Sequence, residues 1–276
     1  MASDGSGIAR DAMGWQRGVW RSMVAVYESE IDRRFAPVVE AVIRRADPRP
    51  GERVVDVGTG TGSAAIRAAT LVAPDGFVVG VDVSTEMLAV GKRRSNELGL
   101  ENVEFREGSA EEITAADGEF DVLLASLSLM YAIDRAAAAR ESARVLRSRG
   151  RVVASVWAGP DRCDIVRFQQ TAGRFAPTPP VEGVGPGALA DATPFLAQLA
   201  AAGIETRVET ETFGFDFDNF DAAWDALAAV TTADLPPERR QEAKAAVREA
   251  MWPEASRPRH FRNETQFIVG ERGGSP

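Results

Sequence analysis

The segment Val54-Val55-Asp56-Val57-Gly58-Thr59-Gly60-Thr61-Gly62 joins a β-branched run to three glycines at alternate positions, with Asp56 two residues before the first. Glycine tolerates positive φ and lets a ligand lie directly on the backbone. The segment SAAIRAATLVA that follows reads as a helix, whose first N–H groups are unpaired and face the turn. The same glycines could also make a tight strand-to-helix connection with no ligand. A second element decides between the two: Gly80-Val81-Asp82-Val83-Ser84 ends another short apolar run, with Asp82 placed 20 residues after Gly62. In nucleotide-binding α/β folds a carboxylate at that point accepts from both hydroxyls of a ribose. Ser84, with Met87 three residues on, is suited to cap the next helix, which leaves Asp82 for a ligand. A nicotinamide dinucleotide is disfavoured: aligned on Gly58 and Gly60, its third glycine would fall on Ser63. A nicotinamide-dependent oxidoreductase is therefore the weaker reading.

The elements that must position these residues follow from periodicity. Residues from about Asp11 to Ala46 carry Trp20, Met23, Val24, Tyr27 and Ile31 at helical spacing, then a second apolar set after Pro37. VVDVG, FVVGVDVS, VEFREGS, FDVLLASLSLMY and RVVASVW read as five strands with helices between them. Such alternation implies right-handed βαβ units and a mostly parallel sheet with helices on both faces. Asp134 is placed to cap the helix RAAAARESARVLRSR, and Gly150 to end it. Residues 159–190, rich in Pro and Gly, read as an irregular insertion, followed by the helix TPFLAQLAAAGI. A strand ETRVETETFGF, two helices and a last strand HFRNETQFIVGERG complete the chain.

Four blocks, PGERVVDVGTGTGSAAIRAA, GVDVSTEMLAVGKRRSNELGLENVEFREGSAEEI, FDVLLASLSLMY and RVLRSRGRVVASVW, cover about residues 50–158 in order. Together they resemble the quinone-biosynthesis-like (type 11) group of class I S-adenosylmethionine-dependent methyltransferases, and HFRNETQFIVGER resembles that group's last strand. The resemblance implies a Rossmann-like seven-stranded, mostly parallel α/β fold. It implies a single domain over 1–276: an N-terminal helical lid (1–50), a cofactor-binding core (51–158), and insertions, last strands and a substrate-side lid (159–276). It implies S-adenosyl-L-methionine as cofactor, with Asp56, Gly58, Thr59, Gly60 and Gly62 near its methionine and ribose and Asp82 on the ribose hydroxyls. Val83 and Met87 would flank the adenine, Ser109, Ala110 and Glu111 would follow its edge, and Ser126 would lie beneath the cofactor. Tyr27 would reach it from the lid. The group has Asp where Ser109 stands, and a serine hydroxyl is a weaker acceptor than a carboxylate. Ser148-Arg149-Gly150 replaces the group's Pro-Gly-Gly turn.

The remaining candidates are few. His260 is the only histidine and Cys163 the only cysteine, so no cysteine cluster or His-rich metal site is expected. His260 is a candidate general base, weighed against a packing role at a strand edge. Tyr131 and Trp157 close two strands at their carboxyl ends and are candidates for a substrate wall. Phe213, Phe215, Phe217, Phe220 and Trp224 read as core, and Glu111-Glu112 and Glu209-Glu211 as solvated faces. With 41 acidic against 32 basic residues and a net charge of -9, the chain repels phosphate backbones, so no nucleic-acid partner is expected. The start MASDGSGIARDAMG lacks the apolar core of a signal peptide, and no run is long enough to span a bilayer, which points to a cytoplasmic setting. The expected activity is methyl transfer to O, N or C of a small apolar metabolite, as in specialised biosynthesis. The alternative is the same fold and cofactor used for a cyclisation or rearrangement. A homodimer stays open.

Overall fold

The computed structural model describes residues 5–254 and 256–274. A seven-stranded sheet of order β3-β2-β1-β4-β5-β7-β6 forms its centre. The strands are β1 (Arg53–Val57), β2 (Phe77–Asp82), β3 (Val103–Glu107), β4 (Phe120–Ser126), β5 (Leu146–Trp157), β6 (Ile204–Phe217) and β7 (Arg259–Arg272). β1 to β5 are parallel, whereas β7 runs antiparallel to both β5 and β6. Val54, Val55, Val78, Val79, Leu123 and Leu124 are wholly buried, as central parallel strands require.

The helices are α1 (Gly5–Val26), α2 (Asp32–Ala46), α3 (Ser63–Val72), α4 (Thr85–Glu97) and α5 (Arg135–Val145) in the first half. The second half has α6 (Asp164–Gly173), α7 (Thr193–Ala201), α8 (Phe220–Leu227), α9 (Ala229–Thr232) and α10 (Pro237–Met251). A π-helical turn, Tyr27–Ile31, joins α1 to α2, and a 3-10 turn, Leu129–Tyr131, follows β4. The chain steps outward from β1 to β3, then returns to place β4 on the other side of β1. That reversal opens a crevice at the carboxyl ends of the strands. None of the described helices is long and apolar enough to cross a membrane.

The structure departs from the sequence pattern in three places. The helix capped by Asp134, which accepts from Ala137 N at 2.9 Å, ends at Val145 rather than Gly150. Leu146, fully buried, leaves it to pair with Phe120, and the register then slips before Val122 meets Arg151. Arg149, not Gly150, takes the left-handed conformation there, at φ 62°. Within the expected irregular insertion, α6 forms because Ile165, Val166, Phe168 and Ala172 present one buried face. Glu209 and Glu211 are not merely solvated: they accept from Arg45 and Arg44 and tie α2 to β6.

The late aromatic residues are core, as their spacing suggests. Phe261 of β7 lies 5.1 Å from Phe217, 5.8 Å from Trp252 and 6.2 Å from Phe168 between ring centres. Tilted and edge-on pairs of this kind suit aromatic quadrupoles. They fasten α6, α8 and the end of α10 to the antiparallel edge of the sheet.

Candidate functional site

Above the carboxyl ends of β1, β2 and β4 lies a cavity open to solvent. Its floor is the glycine loop. Gly58 stands at φ +69°, and a Cβ there would fall 2.4 Å from Cβ of Ser128. Gly62 stands at φ +83°, with Phe105 2.9 Å from its would-be Cβ and the Gly91 backbone at 3.2 Å. These two glycines therefore serve close packing of the loop against β3, β4 and α4. At Gly60 a Cβ would meet nothing within 4 Å, because this residue borders the cavity.

The carboxylates hold the loop in shape. Asp56 is buried and accepts from Thr59 Oγ1 at 2.6 Å and Ala65 N at 3.1 Å. Burial pushes its carboxyl up to about 6 in spite of those bonds. Asp82 accepts from Gly60 N at 2.8 Å and Ser84 N at 2.9 Å. Its carboxyl is also held above the usual range, chiefly by burial. Ser84 caps α4 through Met87 N at 3.2 Å, so Asp82 is free of that duty. Val83, Met87, Ser109, Ala110, Glu111 and Ser126 all line the same cavity as Asp56, Asp82, Gly58, Thr59 and Gly60. Ser109 Oγ already accepts from Glu111 N at 3.2 Å, leaving one lone pair. Glu111, read from sequence also as a solvated face, accepts from Ile133 N at 2.6 Å and Asp134 N at 3.2 Å. It thereby clamps the turn that carries Tyr131.

The junction of α1 and α2 brings in Tyr27, and the cavity gains several residues the sequence did not single out. Tyr27, Trp20 and Tyr131 meet edge to face, Trp20 lying 6.2 Å from Tyr27 and 4.7 Å from Tyr131. Burial drives both tyrosine hydroxyls well above their ordinary range, so they stay protonated and can donate. Asp32 also lines the cavity, accepting from Thr61 Oγ1 at 2.7 Å, Ser63 Oγ at 3.1 Å and Arg94 at 2.8 Å. Tyr27 and Asp32 are five residues apart, which on an α-helix separates them by roughly 140°. The π-helical turn, closed by Asp32 N donating to Tyr27 O, brings both to the cavity. Leu127 stands at φ 55° after β4, anchored by its N–H to Ser155 Oγ at 3.0 Å. A left-handed apolar residue is strained, and such strain gathers at functional sites. It turns the chain so that Ser128 Oγ donates to Val57 O at 2.6 Å under the glycine loop.

Three candidates lie outside the cavity lining: Gly62, which packs against Phe105 and Gly91, His260 and Trp157. His260 is exposed on β7 and pairs with Asp216 at 2.8 Å, outside the cavity lining. An alternating strand sends its neighbour Phe261 inward and His260 outward. Trp157 is buried but does not line the cavity; Phe35 of α2, at 5.4 Å between ring centres, stands in front of it. Cys163 is buried, with its thiol pushed up to about 12, so it stays unionised. Among the described residues no cluster of His, Cys, Asp or Glu could hold a metal ion.

Among the described residues, the charged lining of the cavity is Asp32, Asp56, Asp82 and Glu111, with no Lys, Arg or His. A pyrophosphate would meet four carboxylates and no cation among them, whereas a cation carrying a ribose suits these acceptors. Comparison with known proteins agrees. Residues 48–171 match the model of a family described as methyltransferase domain. Nocamycin O-methyltransferase of Saccharothrix syringae is 32% identical over 184 residues, 67% of this chain and 64% of that protein. Demethylmenaquinone methyltransferase of Bacillus cytotoxicus is 38% identical over 111 residues, 40% of this chain and 47% of that protein. The chain thus spans less than two thirds of the length of these curated relatives. The crystal structure of the YcgJ protein of Bacillus subtilis shares the fold, with a TM-score of 0.63 at 21% identity over 86% of this chain and 99% of that one.

Proposed function

We propose, from the premise that this chain belongs to the class I S-adenosylmethionine-dependent methyltransferases of the type 11-like group, that it transfers a methyl group from S-adenosyl-L-methionine to O, N or C of a small apolar metabolite. The observation that carries this reading is the cavity over the glycine loop, whose charged lining among the described residues is wholly acidic and suits a cationic, ribose-bearing molecule. When bound, that cofactor supplies a methyl group already activated on a sulfonium. Asp82 accepts from the ribose hydroxyls while its bonds to Gly60 N and Ser84 N fix its orientation. Met87 and Val83 flank the adenine, and Ser109, Ala110 and Glu111 follow its edge. Gly58 and Gly60 let the backbone approach the methionine portion, braced by Asp56 and Thr59, while Gly62 holds the loop against α4. Tyr27 and Tyr131 remain protonated and orient polar atoms by donation rather than by taking a proton.

With the methyl already activated, the protein's task is alignment and exclusion of water, which can lower a barrier by about 7–11 kcal/mol. Calorimetry with S-adenosylhomocysteine tests the cofactor assignment. Asp82→Ala removes two charge-assisted bonds worth about 1.5–3 kcal/mol each, so affinity should fall by roughly a hundredfold or more. Binding of a nicotinamide dinucleotide with no binding of the homocysteine would refute the reading. Product turnover without formation of S-adenosylhomocysteine would instead favour a rearrangement or cyclisation.

A further inference from the structure

A second cavity adjoins the first and shares Gln16, Trp20 and Tyr131 with it. Its other walls are α9, the residues just after it, and the proline-rich segment 176–186. We propose that this space is the acceptor chamber and that it selects an uncharged, largely hydrocarbon molecule, rejecting phosphorylated and carboxylated ones. The inference rests on the methyl-transfer reading for the word acceptor, but the selectivity follows from the lining itself.

Trp15, Val19, Pro179, Val184, Val230 and Leu235 give an apolar wall. Among the described residues, the ionisable side chains of the lining are Asp234, exposed at the rim, and the partly buried phenol of Tyr131, with no Lys, Arg or His. An anionic group entering it would lose its hydration with no cationic partner among the described residues. It would also approach the four carboxylates of the neighbouring cavity, in a chain of net charge -9. Trp20 and Tyr131, edge to face at 4.7 Å, form the partition between the two spaces. Gln16, buried and donating to Tyr131 O, completes this partition, and an acceptor reaching the first cavity would have to displace it. The proline-rich wall is pinned beside the partition: Gly185 N donates to Met130 O at 3.0 Å, and Arg135 donates to Gly183 O. Apart from Tyr131, the wall residues lie outside the stretch 48–171 that matches the methyltransferase-domain family. The chamber is thus built by the parts of this chain that differ from the common core.

The test is calorimetry on the full chain, with and without S-adenosylhomocysteine, using 1-octanol, octanoate and octyl phosphate as probes of equal chain length. Octanol should bind saturably, and the two anions about a hundredfold more weakly or not at all. Ala229→Trp, or Val230→Phe if the first variant does not fold as judged by its melting curve, fills the chamber. Either should abolish octanol binding while leaving the affinity for S-adenosylhomocysteine within about twofold. Absence of octanol binding to the wild type, anions binding as tightly as octanol, or octanol affinity unchanged in the filled variants would each overturn the proposal. Failure of S-adenosylhomocysteine to bind would sink the methyl-transfer reading instead, and the octanol arm run without it would still report on the chamber.

Discussion

At the scale of single residues, the glycine-loop carboxylates have separate duties. Asp56 is consumed by the loop, whereas Asp82 sits at the cavity edge with backbone donors holding it in place. The raised value of Asp56 has a thermodynamic consequence. A carboxyl whose folded value is lifted from 3.8 to about 6 binds its proton more tightly folded than unfolded. Its stabilising contribution is complete below the unfolded value and is lost as pH rises through about 6. Relative to Asp56→Asn, which keeps an acceptor but cannot ionise, the wild type should lose stability between pH 4 and 6, a trend that melting temperatures across that range will reveal. A flat difference would mean that the loop solvates the ionised form. His260 is paired with Asp216 on the exposed side of β7, so His260→Ala should leave turnover and cofactor affinity unchanged. Loss of turnover would restore it as a base.

At the scale of elements, the decisive device is the junction of α1 and α2. A continuous α-helix would carry Asp32 away from Tyr27, but the π-helical turn keeps both on the cavity. Asp32 then pins this junction to the glycine loop through Thr61 and Ser63 and to α4 through Arg94. With the Arg94 side chain about a third exposed, Asp32→Ala should cost about 1–2 kcal/mol of stability, less than a fully buried pair would. It should weaken S-adenosylhomocysteine binding as the junction loosens, whereas a variant that is less stable yet binds normally would reduce Asp32 to a purely structural tie. The loop and α4 are linked equally tightly by Gly62. Gly62→Ala forces a Cβ toward Phe105 and the Gly91 backbone at positive φ, so about 1–3 kcal/mol of stability should be lost, read from urea unfolding.

At the scale of the molecule, the parallel part of the sheet carries the glycine-loop cavity and the antiparallel β6–β7 pair carries the aromatic core beneath α6, α8 and α10. Phe261→Ala should therefore cost about 3–5 kcal/mol by thermal or urea unfolding, and a cost below 1 kcal/mol would show that this core collapses readily around the gap. Much of this division was legible in the sequence, because strand and helix periods, the alternate glycines, Asp82 and the cap at Ser84 are local features set by backbone sterics and hydrogen-bond supply. The strand-to-helix order also fixed which ends of the strands face a ligand. Other features required the tertiary structure. Asp32 joins the site only through a π-helical turn and Arg94, 62 residues away along the chain. Trp157, at the right end of its strand, is screened by Phe35 from a different element. The chamber between α1, α9 and the proline-rich wall has no sequence signature, since apolar residues spaced for packing look the same whether they close on each other or leave room. Local chemistry determined where the glycine loop and Asp82 lie; only the packing of distant segments decided what stands opposite them and how much space remains.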